Sequence, residues 1–241
     1  NKEDIVFSEL DRKFITAFER YLKETRGLAR NTAAKYLECF RKVLKVAQQK
    51  GWMEHGKFLE ELGELCVKEE TYPSFLDWDE LRTVMETDMP AGRLERVKDV
   101  FVFCALTGLS YQGISTLCPS HLFRDDEGTL WICRTRAEGA EVGDSCTSRV
   151  PLLKPAMVLL EKYRGWNLMN PEGPCFPVPS VQKMNEYLKE VAARCRISKR
   201  LTTQMARNTF AATVTLASRI PKEHVREMLG YSSDYMLRHY M

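Results

Sequence analysis

The chain has 241 residues, of which 44% are hydrophobic, so it is long enough for one large domain or two modest ones with an apolar core. No segment approaches the roughly 18–20 uninterrupted apolar residues of a membrane span, and the first residues lack the apolar stretch of a secretion signal, so we expect a cytoplasmic protein without a membrane partner. Its eight cysteines occur singly along the sequence, and the chain has only four histidines. This pattern favours free thiols over a metal site or a disulfide framework.

The net charge of +3 is divided unevenly along the sequence. Residues 20–50 carry nine Lys and Arg against two acids, and residues 194–241 carry nine against three. Residues 1–19 and 51–193 are net acidic, at −2 and −8. Because neutralised phosphates supply most of the sequence-independent affinity for nucleic acid, two basic regions on an acidic body are what a protein that holds a polyanion from two sides would need. Two solvated helix faces are the alternative explanation.

Residues 1–68 have the periodicity of a small helical bundle. Apolar residues recur at helical spacing over residues 10–22 and again over residues 36–47, where Asn31 is the predicted N-cap. A shorter helix is predicted near Phe58–Val67. Several basic residues of the second helix fall largely off its apolar stripe and are available to a partner: Lys35, Arg41, Lys42 and Lys45.

A polar, proline-containing segment at residues 69–75 interrupts the helical period and is the predicted linker to a second domain, residues 76–241. Residues 77–80 form a helix start of the capping-box type. The one β signal, at Thr129–Arg136 and Thr147–Leu152, predicts a pair of strands. Helices are predicted around it at Val97–Leu106, Lys154–Trp166, Ser180–Cys195, Leu201–Ala217 and Pro221–Leu229. The predicted fold class is mainly α, with an N-terminal helical bundle and a C-terminal, mainly helical domain that contains a small antiparallel β-sheet.

The most specific signals for function lie at the C-terminal end of the sequence. The chain reads L-T-T-Q-M-A-R-N-T-F at residues 201–210 and M-L-G-Y at residues 228–231, and Tyr240 follows Tyr231 by nine residues. This block resembles the end of the catalytic domain of tyrosine recombinases, which reads L-T-x-H-x-x-R-H-T-F-A, then L-G-H, then a nucleophilic tyrosine nine residues later. Upstream, G-L-A-R-N-T at residues 27–32 resembles the G-L-S-x-N-T of the core-binding domain of that family.

The resemblance implies a strand transfer that needs no metal, nucleotide or other cofactor. A tyrosine hydroxyl attacks a DNA phosphodiester, forms a 3′-phosphotyrosine and frees a 5′-hydroxyl, while cations stabilise the transition state. Tyr240 matches the nucleophile, and Arg207 matches the second arginine, whose guanidinium suits two non-bridging oxygens. The implied partners are double-stranded DNA and further copies of the chain, two to four on one DNA. The candidate DNA contacts are Arg30, Asn31, Thr32, Lys35, Arg41, Lys42 and Lys45.

Several catalytic positions depart from the family pattern. Ser110 stands where the family has its first arginine, as in integrases of Bacteroides conjugative elements, which the chain most resembles. Gln204 and Tyr231 replace two histidine-like donors, so hydrogen bonds remain available but an imidazole for proton transfer does not. The structural alternatives are that Arg207 caps a helix and that Tyr240 is a packing residue.

The lysine that the family carries on its β-hairpin has no direct counterpart. Counting from Trp131, its position falls on Glu138, and Arg136, with Arg134 beside it, is the candidate auxiliary cation. Tyr235 is the alternative nucleophile. We predict a site-specific recombinase, an integrase that cleaves and rejoins DNA during integration or excision of a mobile element. The alternatives are a DNA-binding protein on the same fold that has lost catalysis and, third, a generic helical interaction protein.

Overall fold

The structure is a computed structural model that describes residues 5, 7–53, 58–135, 147–231, 233, 237, 238 and 240. It divides into two compact units, residues 1–71 and residues 72–241, and each unit has a hydrophobic core of its own. The predicted fold class is confirmed, because the described residues are mostly helical and contain one small antiparallel sheet.

The described part of the first unit contains three α-helices whose apolar faces meet in one core, preceded by a short 3-10 helix (Phe7–Glu9). Asp11 caps the first helix, its carboxylate accepting the Phe14 N–H at 2.8 Å. Tilted and edge-on aromatic contacts join Phe14, Phe18 and Phe40 across the first two helices. The elements are α1 (Arg12–Arg20), which continues as a π-helical turn (Tyr21–Thr25), α2 (Arg30–Gln49) and α3 (Phe58–Leu65).

Asn31 does not cap α2, so that prediction is wrong. The helix begins at Arg30, with Ala29 in the N-cap position. The Asn31 side chain instead pairs with the backbone of Glu69: its Nδ2 donates to the Glu69 carbonyl at 3.0 Å, and its Oδ1 accepts the Glu69 N–H at 2.8 Å. Because this pairing satisfies both ends of the amide at once, it competes well with a cap that uses only the oxygen. It fixes the chain after α3 to the start of α2.

The second unit surrounds α5 (Arg93–Thr107), whose middle and C-terminal half is almost wholly buried. A three-stranded antiparallel sheet, with its strands side by side in chain order, adds Ile132 and Val150 to the same core. The elements are α4 (Trp78–Glu86), α5 (Arg93–Thr107), α6 (Tyr111–Ser115), β1 (Leu122–Arg124), β2 (Leu130–Thr135), β3 (Thr147–Pro151), α7 (Lys154–Lys162), α8 (Arg164–Met169), α9 (Val181–Arg194), α10 (Thr203–Thr209), which continues as a π-helix (Phe210–Leu216), and α11 (Lys222–Leu229).

Local signals placed most of these elements correctly. The predicted capping box is confirmed: Asp77 Oδ1 accepts the Glu80 N–H at 2.8 Å, and Glu80 Oε2 accepts the Asp77 N–H at 3.0 Å. The helix predicted over residues 154–166 is two helices, α7 and α8. The break falls at Tyr163, whose hydroxyl donates to the buried Asp99 carboxylate at 3.0 Å.

Gly108 ends α5 at a crowded point of the second unit. Its φ of 70° is left-handed, and its N–H donates to the Cys104 carbonyl at 2.8 Å. A Cβ at this position would lie 2.5 Å from Phe210 Cδ1 and 2.9 Å from Leu229 Cδ2. Both the dihedral angle and the space therefore require glycine where α5, the π-helix and α11 meet.

We expect Gly108→Ala to lower the free energy of unfolding more than Gly128→Ala. Gly128 has a similar φ of 82° but nothing within 4 Å of an added Cβ. Gly128→Ala therefore measures only the cost of a left-handed backbone in a residue with a side chain, about 1–2 kcal/mol. The clash with Phe210 should add about 1–3 kcal/mol at Gly108. Urea unfolding of both variants measures the difference. Equal losses would contradict the close packing described here.

Candidate active site

Arg207 joins the C-terminal ends of two helices. Its Nη1 donates to the Gly108 carbonyl after α5 at 2.5 Å, and its Nη2 donates to the Leu229 carbonyl at the end of α11, also at 2.5 Å. Its Nε donates to the Tyr231 hydroxyl at 3.3 Å, and the guanidinium carbon lies 4.8 Å from the centre of the Tyr231 ring. Helix C-terminal carbonyls carry partial negative charge and attract the cation. A guanidinium has more N–H donors than these bonds use, so Arg207 can still bind a phosphate.

Tyr240 lies against α10, the helix that carries Arg207. Its hydroxyl donates to Asn208 Oδ1 at 2.7 Å, and Gln204 Nε2 donates to the same oxygen at 3.0 Å. Burial raises the pKa of Tyr240 to about 12; the nearby Tyr231 hydroxyl adds to the rise and the Arg207 charge offsets part of it. At neutral pH the phenol is therefore protonated, with its proton held by an amide oxygen that cannot remove it.

The structure thus brings together four of the residues proposed for catalysis: Tyr240, Arg207, Gln204 and Tyr231. The fifth, Arg136, lies outside the described residues, as do Glu138 and Tyr235. Sequence reasoning missed Asn208, which links Gln204 to Tyr240. The available signal was its place in the motif, where R-N-T-F stands for the R-H-T-F of the resembling family.

Ser110, at the position of the family's first arginine, is the N-cap of α6 and carries no charge that could bind a phosphate. Its Oγ accepts the Gly113 N–H at 3.1 Å. It lies two residues beyond Gly108, whose carbonyl holds Arg207. The position of the missing arginine is therefore close to the candidate site in the chain but contributes no charge to it.

A second guanidinium reaches the helix that Ser110 caps. Arg134, on β2, donates through Nη1 to the Gly113 carbonyl and through Nη2 to the Thr116 hydroxyl, the latter at 2.6 Å. Its partner across the sheet is Ser148 on β3, whose hydroxyl donates to the Met228 carbonyl of α11. Burial lowers the pKa of Arg134, although a guanidinium stays charged in water.

The predicted DNA contacts of the first unit fall into three groups. Thr32, Lys35, Lys42 and Lys45 are exposed along α2. Arg41 is half-buried, and its Nε donates to the Leu59 carbonyl at 3.3 Å, which ties α2 to α3. The remaining two, Arg30 and Asn31, contact Glu69.

Metal-binding clusters and membrane spans are both absent from the part of the chain that the structure describes. It contains no group of three or more His, Cys, Asp or Glu side chains that could hold a metal ion. None of its helices is both long enough and apolar enough to cross a membrane.

Comparison with known proteins agrees with this architecture. Residues 1–62 match the phage integrase SAM-like domain family. The XerH site-specific recombinase, bound to its palindromic difH substrate in a post-cleavage complex, has a TM-score of 0.73 at 15% sequence identity, over 97% of this chain and 69% of that one. The chain has the tyrosine recombinase fold.

Two other structures give the same fold. A lambda integrase fragment, a dimer bound to a COC′ core site, has a TM-score of 0.70 at 15% identity, over 99% of this chain and 82% of that one. A fragment of the Tn1549 transposon integrase, in complex with transposon right end DNA, has a TM-score of 0.71 at 12% identity, over 94% and 80% of the two chains. No curated protein sequence matches significantly. At these identities the tyrosine recombinase fold is what is shared.

The raised pKa of Tyr240 predicts a pH-dependent contribution to stability. An unfolded tyrosine has a pKa of about 10, so the contribution is fully present below pH 10 and is lost as pH rises through about 12. The wild type should therefore lose about 1–2 kcal/mol more than Tyr240→Phe over this range, a figure that allows for partial exposure. Tyr163, whose pKa is also raised, is common to both proteins and cancels. Denaturant unfolding at a series of pH values measures the gap, and parallel curves would contradict the assignment.

Proposed function

We propose that the chain is a site-specific DNA recombinase that acts in the integration or excision of a mobile element. The observation that carries the proposal is the meeting of the Tyr240 hydroxyl and the Arg207 guanidinium at one site, together with Gln204 and Tyr231. The DNA-bound state of the XerH, lambda and Tn1549 proteins, which share the fold, supports DNA as the partner. The lambda integrase dimer on its core site supports action by more than one copy on DNA.

In the proposed reaction, the Tyr240 oxygen forms a bond to phosphorus while the bond from phosphorus to the 5′-oxygen breaks. The phenol loses its proton, the 5′-oxygen gains one, and the energy of the phosphodiester is kept in a 3′-phosphotyrosine for rejoining. Because burial raises the pKa of Tyr240 to about 12, the phenol enters the reaction protonated and must give up its proton in the course of it. Arg207 donates to the non-bridging oxygens, where charge develops.

The proposed auxiliary groups are donors without an imidazole. Tyr231 lies near Tyr240, and Gln204 is linked to Tyr240 through Asn208; both side chains can hydrogen-bond to phosphate oxygens. Arg134 is the proposed second cation, since it reaches α6, the helix that starts at the position of the missing arginine. Arg136, two residues after Arg134 in the sequence, remains a proposed alternative as the second cation.

A DNA-binding protein that has lost catalysis is the second candidate function. Ser110 acting as a helix cap, together with Gln204 and Tyr231 in place of imidazoles, favours it, because each change removes a group that the resembling enzymes use. Both candidates bind DNA, so only a cleavage experiment separates them.

We expect the wild-type protein to form a covalent adduct with a nicked suicide duplex that carries an end of its own element, visible on a denaturing gel. Tyr240→Phe removes only the hydroxyl, so the adduct should vanish while DNA affinity stays within about twofold. Arg207→Lys keeps the charge but loses the planar fork, and adduct formation should slow by about 100-fold or more. Tyr72→Phe, at a tyrosine that is 77% exposed, is the matched control and should behave as wild type.

The outcomes distinguish the two candidate functions. An adduct that persists in Tyr240→Phe would move the nucleophile elsewhere, with Tyr235 the next tyrosine to replace. DNA binding by the wild type without an adduct on a verified cognate site would leave the binding protein as the function.

The exposed lysines of α2 should contribute to the salt dependence of DNA binding. Removal of one lysine that neutralises a phosphate reduces the slope of log affinity against log salt by about one, so Lys35→Ala and Lys45→Ala should each lower it by about that amount. Arg41→Ala should lower the stability of the first unit and leave the slope unchanged, because Arg41 binds the Leu59 carbonyl. Fluorescence anisotropy between about 50 and 200 mM salt measures the slopes. A slope that only Arg41→Ala reduces would overturn this assignment.

A further inference from the structure

The Asn208 side chain makes three hydrogen bonds beside the candidate nucleophile. Only 6% of the residue is exposed. Its Oδ1 accepts from the Tyr240 hydroxyl at 2.7 Å and from Gln204 at 3.0 Å, and its Nδ2 donates to the Ser74 carbonyl at 3.0 Å. A buried amide bonded on both sides has one stable orientation, so it holds the phenol in one place.

The Ser74 carbonyl belongs to a short segment without regular structure, residues 74–76, through which the chain enters the second unit. Side chains of α10 and the π-helix hold its end: the Leu76 N–H donates to the Thr209 hydroxyl at 3.0 Å, and the Thr213 hydroxyl donates to the Leu76 carbonyl. The segment is therefore attached to the same stretch of chain that carries Arg207.

Burial of a polar residue costs free energy unless the residue is hydrogen-bonded. Three buried polar residues form hydrogen bonds with residues 74–76. Asn208, Thr209 and Thr213 are each at most 6% exposed. Lys199 completes the set, its Nζ donating to the Phe75 carbonyl at 3.0 Å. Each backbone carbonyl from residue 74 to residue 76 thus accepts a hydrogen bond from a side chain of residues 199–213. Apolar residues would fill the same space but would leave these carbonyls without donors.

From these contacts we propose that Asn208 is a positioning residue that fixes the hydroxyl of Tyr240 and couples it to the entry segment, residues 74–76. An amide oxygen accepts a hydrogen bond from the phenol without removing its proton, so Asn208 orients the nucleophile and leaves it protonated. A displacement of the Ser74 carbonyl moves Asn208, and Tyr240 with it. The proposal rests on the proposed function, since it gives Tyr240 the role of nucleophile.

Asn208→Leu tests the proposal by removing both hydrogen-bonding ends of the amide at similar volume. We expect single-turnover adduct formation to slow by about tenfold or more, because an unanchored nucleophile loses its orientation, while the Kd for DNA stays within about twofold. Asn208→Asp keeps an acceptor for Tyr240 but adds a negative charge beside it. That charge disfavours the phenolate, so the pH profile of cleavage should move to higher pH. A side chain at position 208 that did not contact the reacting hydroxyl would not move the profile.

A pair of threonine variants tests the entry segment without touching Tyr240. Thr213→Val removes the donor to Leu76, whereas Thr215→Val removes a buried hydroxyl of the same π-helix whose bond among the described residues lies within that helix, to the Ala211 carbonyl at 2.7 Å. We expect adduct formation to slow in Thr213→Val at unchanged DNA affinity, and to stay at the wild-type rate in Thr215→Val. Both substitutions preserve shape, so the comparison holds even where Asn208→Leu fails to fold.

The wild type, assayed in parallel, separates the two levels of failure. Absence of an adduct in the wild type defeats the proposed function itself. A wild type that forms the adduct, with Asn208→Asp at the same pH profile and Thr213→Val at the same rate, overturns the positioning role alone.

Discussion

The guanidinium of Arg207 is the interaction on which the second unit depends most. It satisfies the terminal carbonyls at Gly108 and Leu229, which would otherwise lack donors in a half-buried place, and the carbonyls offset the cost of removing the cation from water. The same bonds bring the ends of α5 and α11 to one point and place Tyr231 under the cation. Arg207, the residue best suited to bind a phosphate, therefore also holds two helices together. Effects of its substitution on stability and on activity must be measured separately.

The chemistry available at the site follows from what surrounds Tyr240. Burial keeps its phenol protonated, and the groups within reach, Asn208, Gln204 and Tyr231, orient protons without removing them. Under the proposed function the site relies on cations and on alignment for rate enhancement, because the described groups around Tyr240 include no imidazole that could act as a general base. This explains why a carboxamide that only holds the phenol has a large expected effect on cleavage.

Polar side chains in both units hold segments of backbone that lie far away in sequence. In the first unit Asn31 pairs with Glu69, and in the second unit Asn208 and Thr213 bond to residues 74–76. These contacts occur where the chain has no regular structure and its backbone groups need side-chain partners. The basic residues that remain exposed on α2, such as Lys35, are the ones to which the proposed function assigns DNA phosphates.

Periodicity and turn chemistry by themselves determined the helical class, the capping box at residues 77–80 and the paired strands, because these depend on neighbours in the sequence. Resemblance to a family motif singled out Arg207 and Tyr240 as candidates. Only the tertiary structure decided the partners of these side chains. The carbonyl of Gly108 lies 99 positions from Arg207, and a backbone acceptor leaves no mark on residue identity. For the same reason the sequence predicted a cap for Asn31, since nothing local indicates that a distant N–H and carbonyl can bind both ends of its amide.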